Sequence, residues 1–309
     1  MRWAEITISC DPVSAEAVSY ALHDIGCGGA AIKPGVPLHI QGCLPVNDEL
    51  VERLDTLTLH LNRLPEFGLP ALLDKITLRY VEEEDWAQAW KKYFKPLKPG
   101  NRIVIKPSWE DYSPAIGESV IELDPGMAFG TGGHPTTRLC MIALEKFVLP
   151  GMIVADIGTG SGILSLTAAR LGASKALATD IDSLPRKIAR ENVIRNDLQD
   201  VISILEMNEF EEMAVSCDII VANIIANTII ELAPQIHARC KLGSLFIASG
   251  IVEEHESLVK AVLQSLGFDE VETLREDIWV CLIVKCSSKP MNMHAYKQLA
   301  ESLPPIGSL

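Results

Sequence analysis

The chain has 309 residues, 48% apolar and 22% charged, a composition typical of soluble globular proteins and long enough for two domains. Its 41 acidic residues outweigh 27 basic ones for a net charge of −14. That balance argues against nonspecific nucleic-acid binding, which draws on lysine and arginine at phosphates, and suits a basic protein partner. The longest apolar runs, 218–226 and 244–251, fall far short of the roughly 20 residues of a membrane span.

The opening MRWAEITISCD lacks a basic region followed by an apolar stretch, so no signal peptide is expected. Trp3–Ser9 alternates apolar and polar positions, as a half-buried strand should. Ser14 is placed to cap a helix through Ala17, Val18, Ala21, Leu22 and Ile25, which Gly26 stops. Short strands follow at Ala30–Lys33 and Leu38–Gly42. Asn47 can cap a second helix whose apolar face is Leu50, Val51, Leu54, Leu57, Leu61 and Leu64, and Ile76–Val81 closes the series as a strand. The order βαββαβ predicts a small ferredoxin-like domain over residues 1–81. Residues 82–95, EEEDWAQAWKKYFK, predict a linker helix: Trp86, Trp90 and Tyr93 or Phe94 form one stripe, with acids at its start and lysines at its end.

From residue 96 to 286 strands and helices alternate. Strands are expected at Arg102–Lys106, up to Asp156, up to Asp180, and at Ile202–Leu205, Cys217–Ala222, Ser244–Ser249, Phe268–Leu274 and Trp279–Val284. Helices are expected to begin near Ser183–Pro185, at Asn227 and near Glu253. The pattern is that of an α/β, doubly wound sheet, whose last two strands can pair as an antiparallel hairpin. Residues 287–309, with Pro290, Pro304 and Pro305, read as an appended tail whose role is not readable. Eight cysteines are scattered without any C-x-x-C, mostly in apolar segments, so reduced thiols, no metal site and a cytoplasmic location are expected.

The run from Val154 to Asp182, VADIGTGSGILSLTAARLGASKALATDID, carries the chemistry. A strand ends at Asp156, a turn holds Gly158, Gly160 and Gly162, a helix follows, and Asp180 stands 20 residues after Gly160, where an acid can accept hydrogen bonds from ribose hydroxyls. A dinucleotide fingerprint reads G-x-G-x-x-G; here the spacing is G-x-G-x-G followed by Ile163 and Leu164. With Asp156 ahead of the first glycine, the motif is similar to motif I of S-adenosylmethionine-dependent methyltransferases. Dinucleotide binding and a purely structural glycine turn are the alternatives.

Three further segments bear on this motif. LDPGMAFGTGGHPTT, residues 123–137, has the composition of a backbone folded closely around a ligand; Phe129 and Thr131 are candidate cofactor contacts, and the hydroxyls of Thr136 and Thr137 can cap a helix and face the cofactor. DIIVANIIAN, residues 218–227, puts Asn223 at the carboxyl edge of the sheet, where its amide oxygen can accept a hydrogen bond from an attacking amine. His134 is a candidate proton acceptor or substrate contact, with a loop-stabilising hydrogen bond as the alternative. Arg186, Lys187 and Arg190 on the helix after Asp180 read as a solvated face.

EEEDWAQAWKKYFKPLKPG, IKPSWE, LDPGMAFGTGGHPTTRLC, the glycine motif, ATDIDSL and VANIIANTIIELAP together resemble one family: bacterial methyltransferases that modify large-subunit ribosomal protein eleven on amino groups. The resemblance runs to about Lys285 and implies S-adenosylmethionine as cofactor, contacted at Thr137, Gly158, Asp180 and Asn223, with Gly160, Phe129 and Thr131 beside them. It implies an N-terminal domain that holds the ribosomal protein, free or on the ribosome, and no membrane or direct nucleic-acid specificity. Gly133 stands where the family usually has threonine and Thr159 where it often has cysteine. The rival closest in chemistry is the same transfer to another protein or a small-molecule amine; a ribosome-associated binding module is the non-enzymatic one.

Overall fold

The computed structural model describes residues 2–27, 29–33, 35, 37–67, 69–70, 76–82, 94–124, 132–206, 215–287 and 296–299. They fall into two compact units, one up to Lys95 and one from Pro96 on. Residues 83–93, most of the expected linker helix, lie outside the described residues.

The first unit holds strands β1 (Arg2–Cys10), β2 (Ala31–Lys33), β3 (Leu38–Pro45) and β4 (Thr77–Glu82) and helices α1 (Ala15–Asp24) and α2 (Leu50–Asn62). The strands form one antiparallel sheet in the order β2-β3-β1-β4. Alternation along β1 buries Ala4, Ile6 and Ile8, which join Val18 and Leu22 of α1 and Leu57 and Leu61 of α2 in one core. Ser14 stands at the N-cap position of α1 as expected, but its side chain makes no capping hydrogen bond. Asp11 accepts the Val13 N–H at 3.0 Å and opens a turn around Pro12, while the Ser14 hydroxyl donates to the Pro70 carbonyl at 3.4 Å. Asn47 accepts the Glu49 N–H at 3.2 Å, closing the turn that leads into α2.

The second unit is built on a seven-stranded sheet ordered β12-β13-β11-β10-β7-β8-β9. Its strands are β7 (Ile153–Ile157), β8 (Lys175–Thr179), β9 (Ile202–Leu205), β10 (Cys217–Asn223), β11 (Cys240–Val252), β12 (Phe268–Glu276) and β13 (Trp279–Cys286). Six run in one direction and β13 alone opposes them, antiparallel to both β11 and β12, so the expected terminal hairpin is present. A short parallel pair, β5 (Ile103–Lys106) and β6 (Ser119–Glu122), stands apart, and β6 was not anticipated.

Both faces of the large sheet are covered, which is why its strands read as continuous apolar runs. Along β10, Ile219 and Val221 point to a core shared with α3 (Pro135–Phe147), α4 (Ile163–Arg170) and α5 (Ser183–Arg195). Ile220 and Ala222 point to the opposite core, with α6 (Ala226–Arg239) and α7 (Glu253–Ser265). Among the described residues no helix is long and apolar enough to cross a membrane.

Pro234 lies inside α6. Proline has no N–H, so the carbonyl of Ile230, four residues back, loses its helical donor. The Tyr296 hydroxyl donates to that carbonyl at 3.3 Å, and Tyr296 and Leu299 pack against the α6 core layer. A residue of the appended tail thus supplies the bond that the proline withholds. Tyr296→Phe keeps the ring and removes the donor; it should lower stability by about 1 kcal/mol, read as a lower urea midpoint at unchanged slope. An unmoved midpoint would mean that water serves the carbonyl equally well.

Candidate active site

Strand order reverses beside β7: β8 and β9 extend on one side, β10 and β11 on the other. Loops leaving the carboxyl ends of β7 and β10 therefore part, and the gap between them is where an open α/β sheet takes its ligand.

On the β7 side the organising group is Asp156, only 1% exposed. Its Oδ2 accepts from Thr159 Oγ1 at 2.6 Å, Ser165 Oγ at 2.8 Å and Ser165 N–H at 3.0 Å, so strand, turn and α4 are tied at one atom. Its Oδ1 is buried and has no hydrogen-bond partner among the described residues. Burial pushes the carboxyl up to about 6; the Thr159 and Ser165 bonds pull it down, and the charge of Asp180 adds to the rise. Gly158 follows with φ +73°, and a Cβ there would sit 2.5 Å from Ile224 Cγ2.

At the end of β8, Asp180 is oriented by two backbone donors: Gly160 N–H to Oδ2 at 3.0 Å and Asp182 N–H to Oδ1 at 3.1 Å. Arg186 is not part of a solvated face. Its side chain is 11% exposed, donates to the carbonyls of Asp180 and Ile181 at 2.8 and 2.9 Å, and pairs with Glu206. This arginine is spent on holding the acid's own backbone.

On the β10 side, Asn223 ends the strand and its Nδ2 donates to Thr137 Oγ1 at 3.2 Å. Thr137 is fully buried in the first turn of α3. Because an amide is planar, using Nδ2 in this way turns Oδ1 away from Thr137, free to accept elsewhere. Behind Asn223, the backbone of Ile224 presses on Gly250: φ there is +83°, and a Cβ would stand 2.4 Å from the Ile224 carbonyl oxygen. Gly250 sits where the β11–β13 register shifts, between Ala248 and Ile251. Sequence reading missed it, although a glycine inside an apolar strand run is the usual sign of a bulge.

His134 caps α3. Its Nδ1 meets Thr136 Oγ1 at 2.7 Å and accepts the Thr136 N–H at 3.4 Å. Burial first, and the Arg138 charge second, depress its pKa to about 4, against the pull of Glu276. A neutral imidazole with Nδ1 occupied fits the loop-stabilising alternative better than a proton acceptor. The structure therefore brings Gly158, Gly160 and Asp180 together on one side and Thr137 with Asn223 on the other; Phe129 and Thr131 lie outside the described residues.

This cradle suits a cation that carries a sugar. Asp180 offers two fixed carboxylate oxygens, Gly158 holds the turn at a φ of +73° with Ile224 packed where a Cβ would stand, and Asp156 puts an incompletely paired negative charge beneath the turn.

A family model described as ribosomal protein L11 methyltransferase (PrmA) matches residues 2–287. Proteins named ribosomal protein L11 methyltransferase from Pelotomaculum thermopropionicum and Caldanaerobacter subterraneus subsp. tengcongensis are 40% and 39% identical, over 92% of this chain and 99% of each relative. The crystal structure of a ribosomal protein L11 methylase from Lactobacillus delbrueckii subsp. bulgaricus aligns with a TM-score of 0.59 at 33% identity, covering 63% of this chain and 100% of that one.

Two outcomes test the site's physics. Asp156 titrates near 6 when folded and near the ordinary carboxylate value, about 3.9, when unfolded. Between those values the folded chain holds more protons, so stability falls as pH rises through that window, by about 3 kcal/mol in all. Asp156→Asn keeps an oxygen for Thr159 and Ser165 without the charge, so its stability relative to the parent should climb from pH 4 to pH 7 in urea titrations; a gap independent of pH would refute the buried charge. Gly250→Ala, strained by its φ and by contact with backbone, should cost more than about 1 kcal/mol in the same titration.

Proposed function

This chain belongs to the ribosomal protein L11 methyltransferase family, and we propose that it transfers methyl groups from S-adenosylmethionine to amino groups of ribosomal protein L11, on lysine side chains and the N-terminal amine. The observation that carries this reading is the Asn223–Thr137 junction, standing across the sheet's switch point from Asp156, Gly158 and Asp180.

S-adenosylmethionine, when bound, supplies a methyl group already activated on a sulfonium. The protein's share of the work is then to bind, orient and exclude water. Asp180, its oxygens fixed by Gly160 and Asp182, would hold the ribose hydroxyls, and Gly158, in the positive-φ turn, would present backbone to the cofactor. Asp156 would favour a positively charged ligand by its charge. Asn223 Oδ1 would accept an N–H of the incoming amine and so aim its lone pair, without adding a charge. A lysine amine has an ordinary pKa of about 10.4, and burial favours the neutral, nucleophilic form. The proton released goes to water in this reading, since the imidazole of His134 is weakly basic and engaged with Thr136.

The first unit, as a ferredoxin-like domain, would hold the ribosomal protein; its strand order β2-β3-β1-β4 with two helices supports that description. The net charge of −14 favours encounter with a basic partner. Eight free cysteines support a reducing, cytoplasmic setting.

Incubation with purified L11 and methyl-labelled cofactor should place label on L11 amines; label confined to another acceptor would remove the substrate assignment. Asn223→Ala should lower turnover about 10- to 100-fold, the worth of one strong hydrogen bond, with little change in cofactor affinity measured by calorimetry. An equal loss in both would make Asn223 a cofactor-binding residue only.

A further inference from the structure

We propose that the tip of the β12–β13 hairpin is a clasp on the transfer site: Glu276 and Trp279 are positioning residues that hold the first turn of α3 and, through Thr137, set the amide of Asn223. The proposal rests on Asn223 being the group that receives the amine.

Two contacts make the clasp. Arg138, one residue after Thr137, forms a two-pronged ion pair with Glu276: Nη2 donates to Oε1, and Nε to Oε2 at 3.2 Å. Its remaining arm, Nη1, donates to the carbonyl of Gly133, in the approach to the helix. The two side chains are 25% and 32% exposed, so the pair is less screened than one on open surface, and the planar fork fixes direction as well as distance. Trp279, on the other strand of the hairpin, meets His134 edge to face at 5.1 Å and 69°. His134 passes that contact on, because its Nδ1 is the cap of Thr136. From the sheet side, Ser249 Oγ donates to the Thr136 carbonyl at 3.2 Å. Thr137 is the next residue, and its hydroxyl is what the Asn223 amide donates to.

The far end of α3 shows that the hairpin and helix run alongside each other. Lys146 pairs with Glu272 at 2.6 Å. From Arg138 to Lys146 the helix rises about 12 Å, and from Glu276 back to Glu272 the strand covers about 13 Å, so the two ion pairs are in step. One fastening lies beside Thr137 and the other two turns of helix away, which separates a role in positioning from a role in general attachment. The hairpin turn between Glu276 and Trp279 is itself tightly bent, with Asp277 at φ +52°.

Four single variants, Glu276→Gln, Arg138→Gln, Glu272→Gln and Asn223→Ala, with the Arg138→Gln/Glu276→Gln double variant, test this in the full chain with L11 as acceptor. Turnover, cofactor affinity and urea midpoint are read for each. Glu276→Gln and Arg138→Gln should each lower kcat about 10-fold at unchanged cofactor Kd, and the double variant should be no slower than either single one, because both remove the same pair. Glu272→Gln, which removes the other helix–strand ion pair but is remote from Thr137, should leave kcat intact. The clasp is overturned if Glu276→Gln retains full kcat, if Glu272→Gln loses as much, or if the two losses add. If Asn223→Ala retains full turnover, the reading of Asn223 falls and the clasp with it; if Asn223→Ala is slow while Glu276→Gln is not, the clasp alone falls.

Discussion

A single carboxylate oxygen, Asp156 Oδ2, takes three donors from Thr159 and Ser165 and so joins β7, the glycine turn and α4 at one point. Hydrogen bonds to a charged group contribute roughly 1.5–3 kcal/mol each, yet the carboxyl still titrates near 6. Burial therefore outweighs the three bonds. A neutral acceptor of the same shape would fasten the turn without that cost, so the charge has to be explained by something other than fastening. A positively charged ligand above the turn is such an explanation, and S-adenosylmethionine is one.

The opposite wall follows from the first. With Asp156 and Asp180 already present, a third carboxylate at the strand end would add repulsion and attract a proton of its own. An amide avoids this: the Asn223 oxygen can accept without carrying charge, and the other end of the amide is anchored on Thr137. The two walls also meet sterically at Ile224. Its side chain occupies the place a Cβ on Gly158 would take, and its carbonyl the place a Cβ on Gly250 would take. The residue after Asn223 is thus held between the β7 turn and a bulge in β11.

How much of this was visible in the chain depended on distance along it. The glycine turn, Asp156, Asp180 and the strand ending at Asn223 are written within short windows, where spacing alone links residue to role, and the parallel strands announce themselves as unbroken apolar runs. Contacts between distant segments leave no such trace. Arg138 and Glu276 are 138 positions apart, and neither position is unusual in its own neighbourhood. Arg186 looked like any exposed basic residue until the fold set it against the carbonyls of Asp180 and Ile181. Ser14 had the right chemistry and stands at the N-cap position, but its hydroxyl is drawn to the distant Pro70 carbonyl while Asp11 caps the turn ahead of it. β6 was too short, with only Val120 and Ile121 as apolar signal, to be told from a loop.

A site assembled from Thr137, Gly158, Asp180 and Asn223 exists only when the sheet is complete, since its parts come from α3, β7, β8 and β10 and have no local cause to meet. A ligand that spans them binds the folded chain and not the unfolded one, and so stabilises the whole second unit by mass action. Asp156 then acts with opposite signs in the two states. Without a ligand its ionised form weakens the sheet; in the proposed reading a cation above the turn would make the same charge favourable, and the energy spent on burying it would be recovered as affinity. On that reading neutralising the carboxyl would trade binding for stability, a reason for an ionisable group this deeply buried at the end of β7.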